Sequence, residues 1–339
     1  MKICHILAGN EEGGLENHVV TLCNALVKDN DISVIAHEKY RDRFDGKVHF
    51  YALDLSKGRK NPLLLLRLWR TIKHIDPDIV HAHANKAAAM IATLRRFLPQ
   101  EIKRVATLHS QKKNLSSFET FDHIIGVSHE VIKEILNPNK SVVYNGIEWH
   151  DREKKRGYIA THFGMSDQVF TLCSVGRLET VKNFSLLISS IQNLDVKLLL
   201  VGTGSCESKL KGLVQQLGIE DKVIFTGYRE DAVEIIEDAD LLVISSDKEG
   251  FPYVLVEALL AKTPVVSTDV SDVKTVLPEF SVVPVGDQKK LEQAISYVQS
   301  HYETVLESYQ NTFAFAKTHF TLEAMVAGTQ KVYDEVGVS

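Results

Sequence analysis

The sequence predicts an α/β protein built from two doubly wound, Rossmann-like domains that face each other across a cleft. Three observations carry that expectation. Apolar runs rich in β-branched residues recur along the chain, each followed by a stretch with helical periodicity, which is the pattern of a parallel sheet covered on both faces. The alternation happens twice, and a polar, charged stretch, Glu148–Ser166, separates the two series. The 339 residues exceed one ordinary core and suit two.

In the first series, strands are expected near Lys2–Leu7, Asp31–Ala36, Val48–Leu53, Ile79–His83, Arg104–His109, His123–Val127 and Ser141–Tyr144. Between the first two, Leu15, Val19, Leu22, Cys23, Leu26 and Val27 make one apolar helix face. In the second series, strands fit Phe170–Val175, Val196–Val201, Lys222–Thr226, Leu241–Ser245, Pro264–Ser267 and Ser281–Pro284. Helices Lys289–Ser300, Tyr302–Thr318 and Leu322–Val336 follow. The expected division is residues 1–150, then 151–318, with 319–339 a C-terminal helix returning to the first domain. In sheets of this kind ligands bind beyond the carboxyl ends of the strands, so the loops there carry the functional search.

Composition narrows the classes. With 44% hydrophobic and 24% charged residues the chain has the balance of a globular protein. Its apolar runs, such as Leu63–Leu66 and Val254–Ala261, fall far short of the ~18 residues of a membrane span. The start, MKICHILAG, has no apolar signal-like segment, and Cys4, Cys23, Cys173 and Cys206 are scattered without metal-ligand spacing. A cytoplasmic location with reduced thiols is the expectation. The net charge of −5 hides an asymmetry: residues 1–150 hold 21 Lys and Arg against 17 Asp and Glu, and the remainder hold 18 against 27. A sequence pI near 6.3 argues against a nucleic-acid partner. A basic first domain instead suits an anionic substrate or membrane surface.

Three loops carry chemistry. The first, Gly9-Asn-Glu-Glu-Gly-Gly-Leu-Glu16, runs from a strand into a helix. Gly13 and Gly14 let the backbone approach a ligand, and the helix start offers N–H groups to an anion. It is neither a dinucleotide fingerprint nor a Walker loop, and a plain tight turn explains it equally well. The second, Ser174-Val-Gly-Arg-Leu-Glu-Thr-Val-Lys-Asn183, sends Arg177 and Lys182 out from a strand end. One supplies a rigid fork and the other a point charge for a diphosphate. The third, Ser245-Ser-Asp-Lys-Glu249-Gly-Phe-Pro-Tyr-Val-Leu-Val-Glu257, is the most informative. Pro252 suits the first turn of a helix, the N–H groups of Phe251, Tyr253 and Val254 can meet phosphates, and Glu249 and Glu257 can serve two ends of one nucleotide-sugar.

These residues resemble the E-x7-E motif of the retaining GT-B glycosyltransferases of family 4, with Glu249 and Glu257 at its ends and Gly250-Phe251-Pro252 inside. The resemblance runs through most of the chain: Gly13-Gly14-Leu-Glu16, Asp78-Ile-Val-His-Ala-His83, Thr107-Leu-His109, Val127-Ser128, Tyr144-Asn-Gly-Ile147, Val175-Gly-Arg-Leu-x3-Lys182, Leu200-Val-Gly-x-Gly204 and Phe225-Thr-Gly227. One departure stands near the expected cleft. After Pro264-Val-Val-Ser-Thr-Asp269 that family often has a Gly-Gly pair, and here Val270-Ser-Asp-Val273 follows.

The resemblance implies a GT-B fold and a transferase moving a sugar from a nucleotide-sugar, with uridine the preferred base, to a hydroxyl of a glycan or lipid-linked acceptor. Bacterial lipopolysaccharide core or other surface-polysaccharide synthesis is the implied setting. By the same resemblance Arg177 and Lys182 neutralise the departing diphosphate, helped by the Gly14 backbone and by Gly250, Phe251, Tyr253 and Val254. Glu257 holds the ribose, Tyr228 and Arg229 after Gly227 flank the base, Glu249 orients the donor sugar, and His109 faces its reacting side. Gly13, Glu16 and His18 are acceptor-side candidates. No metal or other cofactor is expected.

Other readings compete at single motifs. His81-x-His83 places two imidazoles on one strand face, but no third metal ligand is evident in the sequence, and packing is favoured. Asp238-Ala-Asp240 precedes an apolar strand, which suits capping. Ser128-His129 lacks a nucleophile elbow. A nucleotide-sugar epimerase, a sugar phosphorylase or a non-catalytic nucleotide-sugar-binding protein would share the scaffold. The segment Asn61–Ile75 combines Leu63, Leu64, Leu66, Leu68, Trp69 and Ile72 with Arg67, Arg70 and Lys73. A sheet-covering helix with a basic edge is the plain account; weak peripheral contact with an anionic membrane is the further expectation.

Overall fold

The computed structural model describes all residues except Glu12, 151–156, Asp167 and 338–339. The chain divides into two compact units, Met1–Glu148 with Thr321–Ser339, and Trp149–Phe320. Part of the expected linker Glu148–Ser166 therefore lies outside the described residues.

The first unit is a seven-stranded parallel sheet. Its strands are β1 (Lys2–Leu7), β2 (Asp31–Ala36), β3 (His49–Ala52), β4 (Ile79–His83), β5 (Lys103–Leu108), β6 (His123–Gly126) and β7 (Lys140–Val142), in the spatial order β3-β2-β1-β4-β5-β6-β7. The order reverses between β1 and β4, which pair with His5 opposite His81 and Leu7 opposite His83. Both strands are buried along nearly their whole length, so they read as continuous apolar runs with polar residues only where the site needs them.

The helix Pro62–Ile75 shows how local sequence sets this unit. Asn61 Oδ1 accepts from the N–H groups of Leu63 and Leu64, Pro62 opens the first turn, and Asp76 ends the helix in a left-handed conformation at φ 49°. Leu64, Leu68, Ile72 and Ile75 face the core, while Leu63 and Leu66 stay exposed. Among the described residues no helix is long and apolar enough to cross a membrane.

The C-terminal helix Leu322–Gly337 belongs to the first unit. The Leu322 N–H donates to the Ile147 carbonyl at 2.8 Å, and Met325, Val332, Tyr333 and Val336 join the core beside Ile3, Val19 and Cys23. Gly146 permits this return, because a Cβ there would stand 2.1 Å from the Thr321 carbonyl oxygen.

The second unit is a six-stranded parallel sheet: β8 (Thr171–Val175), β9 (Lys197–Val201), β10 (Val223–Gly227), β11 (Leu241–Ile244), β12 (Val265–Thr268) and β13 (Val282–Val283), ordered β10-β9-β8-β11-β12-β13. Its order reverses between β8 and β11. The expected single helix Tyr302–Thr318 is instead two, Tyr302–Ser308 and Gln310–His319. The break falls at Tyr309, whose ring is fully buried and whose hydroxyl is held by the Val265 backbone and by Ser281 at 2.8 Å. Asp238 and Asp240 are structural: Asp238 accepts from the Gly157 and Ile159 N–H groups, and Asp240 accepts from the Thr171 N–H at the start of β8. Ser128 Oγ caps the short helix His129–Ile132.

Candidate active site

In each unit many of the chemistry-bearing residues lie at the carboxyl ends of the two strands flanking the reversal of strand order, where an open parallel sheet leaves a crevice, while His109 follows β5, Tyr228 follows β10 and Ser271 follows β12.

In the second unit, β8 ends at Val175 and the chain turns through Gly176 at φ 157°. The Lys182 side chain lies across that glycine; a Cβ at Gly176 would stand 3.3 Å from Lys182 Cε. Two more glycines allow the same loop to pack. A Cβ at Gly202 would lie 2.0 Å from the Gly176 carbonyl oxygen, and one at Gly204 would lie 2.5 Å from the Leu178 carbonyl oxygen. Backbone and side chains then stitch this loop to the one after β11. The Asp247 N–H donates to the Val181 carbonyl at 2.8 Å, Ser245 Oγ donates to the Lys182 carbonyl at 2.9 Å, and Asn183 Nδ2 donates to Asp247 Oδ1 at 2.8 Å.

The stitching brings Lys182 and Glu249 together. Lys182 Nζ donates to Glu249 Oε1 at 2.7 Å, and Ser246 Oγ donates to the same oxygen at 2.6 Å. Both partners are mostly covered, at 22% and 13% side-chain exposure, so the pair feels less screening than a surface bridge. Arg177 projects from the same loop and is exposed.

The helix Tyr253–Leu260 begins just past Glu249. Pro252 sits before its first turn in an extended conformation, φ −73° and ψ 132°, so it is the N-cap and not a first-turn residue as its sequence suggests. Tyr253 and Val254 occupy that first turn, whose N–H groups have no acceptor inside the helix. Phe251 is buried with its ring 5.1 Å from that of Phe320, which anchors the loop. Glu257 lies one turn in and is half-buried. Burial pushes its carboxyl up to about 7. The Tyr253 hydroxyl is buried without a hydrogen-bond partner among the described residues, and burial raises its pKa.

The departure from glycine after Asp269 has a visible consequence. Ser271 takes a left-handed conformation, φ 54°, that glycine adopts without steric cost. Its hydroxyl donates to the Gly250 carbonyl, beside Glu249. Gly227 has φ 72°, and Tyr228 after it is 74% exposed. Arg229, next along, is held by its neighbours: it donates to both carboxylate oxygens of Asp231, which also accepts from the Tyr158 hydroxyl, and it lies 5.5 Å from the Phe163 ring.

In the first unit, Gly13 precedes the helix Gly14–Leu26. Glu16 is buried beneath the loop, and a Cβ at Gly9 would stand 3.1 Å from its Oε1. His18, on the same helix, is buried and donates from Nδ1 to Asn145 Oδ1 at 3.1 Å. His18 meets His109 edge-on, ring centroids 4.6 Å apart.

His109 belongs to a larger cluster. His5 Nδ1 lies 3.0 Å from His83 Nε2, and His83 Nδ1 lies 3.4 Å from His109 Nε2. His81 stacks on His83 at 4.2 Å and bonds Tyr333 at 2.6 Å through Nδ1 and Thr107 at 2.7 Å through Nε2. The residue after His83, Ala84, takes φ 62°, a strained turn for a residue with a Cβ. Burial pushes the His5 imidazole down to about 3 and that of His18 down to about 4. His81, His83 and His109 are driven well below the ordinary histidine range, first by burial and then by repulsion from neighbouring imidazoles, His18 among them in each case. All five are neutral at pH 7.

The structure thus corrects the sequence reading that His81 and His83 lack a third partner. One ring nitrogen from each of His5, His81 and His83 falls within 4.8 Å of the others, as does one from each of His18, His83 and His109. Hydrogen bonds already use both nitrogens of His81 and both of His83. The sequence singles out neither His5 nor Ser246, and it offers Asn145, Gly202 and Gly204 only as parts of longer motifs, His83 only in a motif and as one of a histidine pair, and Ser271 only within the departure after Asp269. The two histidines are legible as polar interruptions of buried strands, but their register is not. Ser246 carries no signal beyond its nearness to Glu249.

Comparison with known proteins follows the same division. Residues 12–149 match the family described as Glycosyltransferase Family 4, and residues 162–313 match Glycosyl transferases group 1. The chain is 30% identical over 223 residues to the N-acetyl-alpha-D-glucosaminyl L-malate synthase of Bacillus anthracis, a match spanning 59% of this chain and 58% of that protein. It is 24% identical over 306 residues to the lipopolysaccharide core biosynthesis glycosyltransferase LpsD of Rhizobium meliloti, spanning 87% of each. The Alr3699/HepE protein of Anabaena, in a crystal structure with UDP, superposes with a TM-score of 0.85 at 18% identity over 99% of this chain and 100% of that one, which shows the GT-B fold. With both halves of the chain matched, the protein belongs to the family 4, group 1 glycosyltransferases.

Proposed function

We propose that this glycosyltransferase takes its sugar from a UDP-linked donor and passes it, with retention and without a metal or other cofactor, to a hydroxyl of a glycan or lipid-linked acceptor in surface-polysaccharide synthesis such as lipopolysaccharide core assembly. The observation that carries the reading is the Lys182–Glu249–Ser246 constellation at the β8 and β11 strand ends. It sets a cation for the diphosphate against a carboxylate for the sugar. Crystal structures of HepE hold UDP and UDP-glucose, which supports the same donor class here. LpsD supports the pathway.

The chemistry follows charge. Cleaving the sugar–diphosphate bond builds negative charge on the leaving phosphate and positive charge on the sugar. Arg177, Lys182 and the backbone at Gly250–Val254 stabilise the first, and the Gly14 backbone is the first unit's candidate for the same task; fixed cations and N–H groups answer developing negative charge without reorganising. Glu249 stabilises the second and positions the sugar, Glu257 accepts from the ribose hydroxyls, and Tyr228 with Arg229 borders the base. The acceptor hydroxyl enters on the side the diphosphate leaves and gives its proton to a phosphate oxygen. Gly13, Glu16 and His18 shape the acceptor side, and His109 meets the sugar there.

The same reading takes weak contact with an anionic membrane through the first unit, and the exposed residues there support it. Leu63, Leu66 and Phe97 are exposed, Phe97 by 68%, beside exposed Arg67, Arg70, Arg95 and Arg96. A hollow of about 470 Å³ lined by Arg59, Lys60, Arg95, Asn85, Asn114 and Ser116 lies in the same unit. Each basic residue near an anionic leaflet contributes about 1 kcal/mol, which gives salt-sensitive peripheral attachment.

A thermal-shift screen of nucleotide-sugars, followed by transfer assays with chelator present, tests the reading. Stabilisation by a UDP-sugar and acceptor-dependent release of UDP support it. Conversion of the donor without acceptor, or a requirement for inorganic phosphate, would instead mark an epimerase or a phosphorylase. Co-sedimentation with anionic but not neutral vesicles at low salt tests the membrane surface.

A further inference from the structure

The histidine cluster has a direction. His5 Nε2 is buried and has no hydrogen-bond partner among the described residues, while His5 Nδ1 shares one hydrogen with His83 Nε2 across 3.0 Å. If His83 donated that hydrogen, neutral His5 would carry its own proton on Nε2 and bury an orphaned N–H. Orphaned buried N–H groups are rarer in folded proteins than under-satisfied acceptors. His5 therefore carries its proton on Nδ1 and donates. His83 then accepts at Nε2 and, being neutral, holds its proton on Nδ1. That proton points to His109 Nε2, 3.4 Å away. His109, neutral in turn, is left with its proton on Nδ1.

We infer that His5 and His83 are positioning residues forming a one-way hydrogen-bond relay that locks His109 as the Nδ1–H tautomer. The free imidazole side chain prefers the other tautomer, so the protein imposes this one. His81, pinned by Tyr333 and Thr107 and stacked on His83, holds the middle ring in place. His18 closes the other side of His109 with its own Nδ1 engaged by Asn145. The consequence deepens the proposed function and rests on it: at its outer nitrogen His109 offers a hydrogen-bond donor to a sugar or acceptor oxygen, and it cannot take a proton there. The relay supplies a reason within the first unit for the acceptor's proton to leave through phosphate.

Two-bond 1H–15N correlation spectra of the full-length protein labelled in histidine test the relay directly, with the His109 signals assigned by their loss in His109→Gln. The expected spectrum at pH 7.5 shows His109 Nδ1 as the protonated nitrogen and Nε2 as the bare one. His5→Phe removes the donor and should move His109 toward the Nε2–H form; His5→Asn, whose amide nitrogen reaches the Nδ1 position, should keep the native form. A wild-type His109 protonated at Nε2 overturns the relay even if every variant misfolds, and so does an unchanged tautomer in folded His5→Phe. In transfer assays His5→Phe should lower kcat by about tenfold or more with donor KM unchanged, and His5→Asn should restore it. An equal loss in both variants marks packing and also overturns the relay. The spectra need no substrate, so they decide the tautomer whether or not the transferase reading holds.

Discussion

Lys182 Nζ stands 2.7 Å from Glu249 Oε1, with Ser246 Oγ on the same carboxylate oxygen, so the residue expected to meet the diphosphate and the residue expected to meet the sugar are held by each other. The two sit 67 positions apart in sequence. Their contact keeps each charge neutralised before substrate arrives and sets the carboxylate in place without side-chain search. On the proposed reading, a donor's diphosphate would share Lys182 with Glu249, which would couple binding at one end of the donor to orientation at the other.

Glu249→Gln is expected to keep donor binding and to slow transfer by roughly 30–1000-fold, the ~2–4 kcal/mol typical of losing one oriented charged contact at a transition state. Steady-state kinetics at saturating donor check this. Turnover within a few-fold of the native enzyme would remove Glu249 from the reaction.

Arg177→Ala and Lys182→Ala are each expected to weaken UDP binding and slow transfer, with a double variant less impaired than the two effects combined, because both cations serve one diphosphate. Arg177 is exposed, so its loss should leave thermal stability unchanged. Lys182→Ala leaves Glu249 without its cation and should cost some stability as well. Calorimetric UDP affinity and melting temperatures separate the two; unchanged UDP affinity in both single variants contradicts the assignment.

Glu257 predicts a pH dependence for the donor. Burial raises its carboxyl from 4.5 to about 7, and ribose hydroxyls donate to the ionised form. UDP affinity should therefore fall as pH drops below about 7, and Glu257→Gln should be weaker throughout but flat with pH. The same group makes an opposite contribution to folding. Between about 4.5 and 7 the folded state binds the extra proton, so this term loses stability as pH rises through that window. A native UDP affinity that is level from pH 6 to 8 would show that ionised Glu257 does not hold the nucleotide.

The histidine cluster predicts acid lability. His5, His18, His81 and His83 are buried with their pKa values lowered by burial, to about 3 for His5 and about 4 for His18. Below about pH 6.5 the unfolded chain takes up protons that the folded chain refuses. Each imidazole then removes about 1.4 kcal/mol of stability per pH unit. Urea midpoints should drop steeply between pH 6.5 and 5, and a His81→Gln variant should show a shallower slope. A midpoint constant over that range would mean that the histidines charge in the folded state.

Ser271→Gly tests the departure from glycine. Relief of the left-handed strain, about 1 kcal/mol, and loss of the bond to the Gly250 carbonyl, about 1 kcal/mol, nearly cancel in stability. The Glu249–Phe251 loop should nevertheless loosen, raising donor KM with little change in melting temperature. A markedly higher melting temperature with donor KM unchanged would show that the serine contributes strain alone.

Much of the protein is determined by sequence alone, because the relevant forces are local or periodic. Buried parallel strands must be apolar along their length, so β1, β2 and β4 are legible to within a residue, and the polar gap near Glu148 separates two cores that each bury their own helices. Glycines at strand ends and the Glu-x7-Glu spacing around a helix start mark candidate phosphate and sugar contacts in the sequence, because glycine lets the backbone approach a ligand and a helix start offers free N–H groups. What only the tertiary structure decided is pairing at a distance. The register of β1 against β4 sets His5 opposite His81 and carries His83 to His109, and the return of the C-terminal helix brings Tyr333 to His81. The stitching of two loops places Lys182 on Glu249. Strand register and loop packing depend on contacts between residues tens to hundreds of positions apart, and no periodicity along the chain encodes which imidazole meets which.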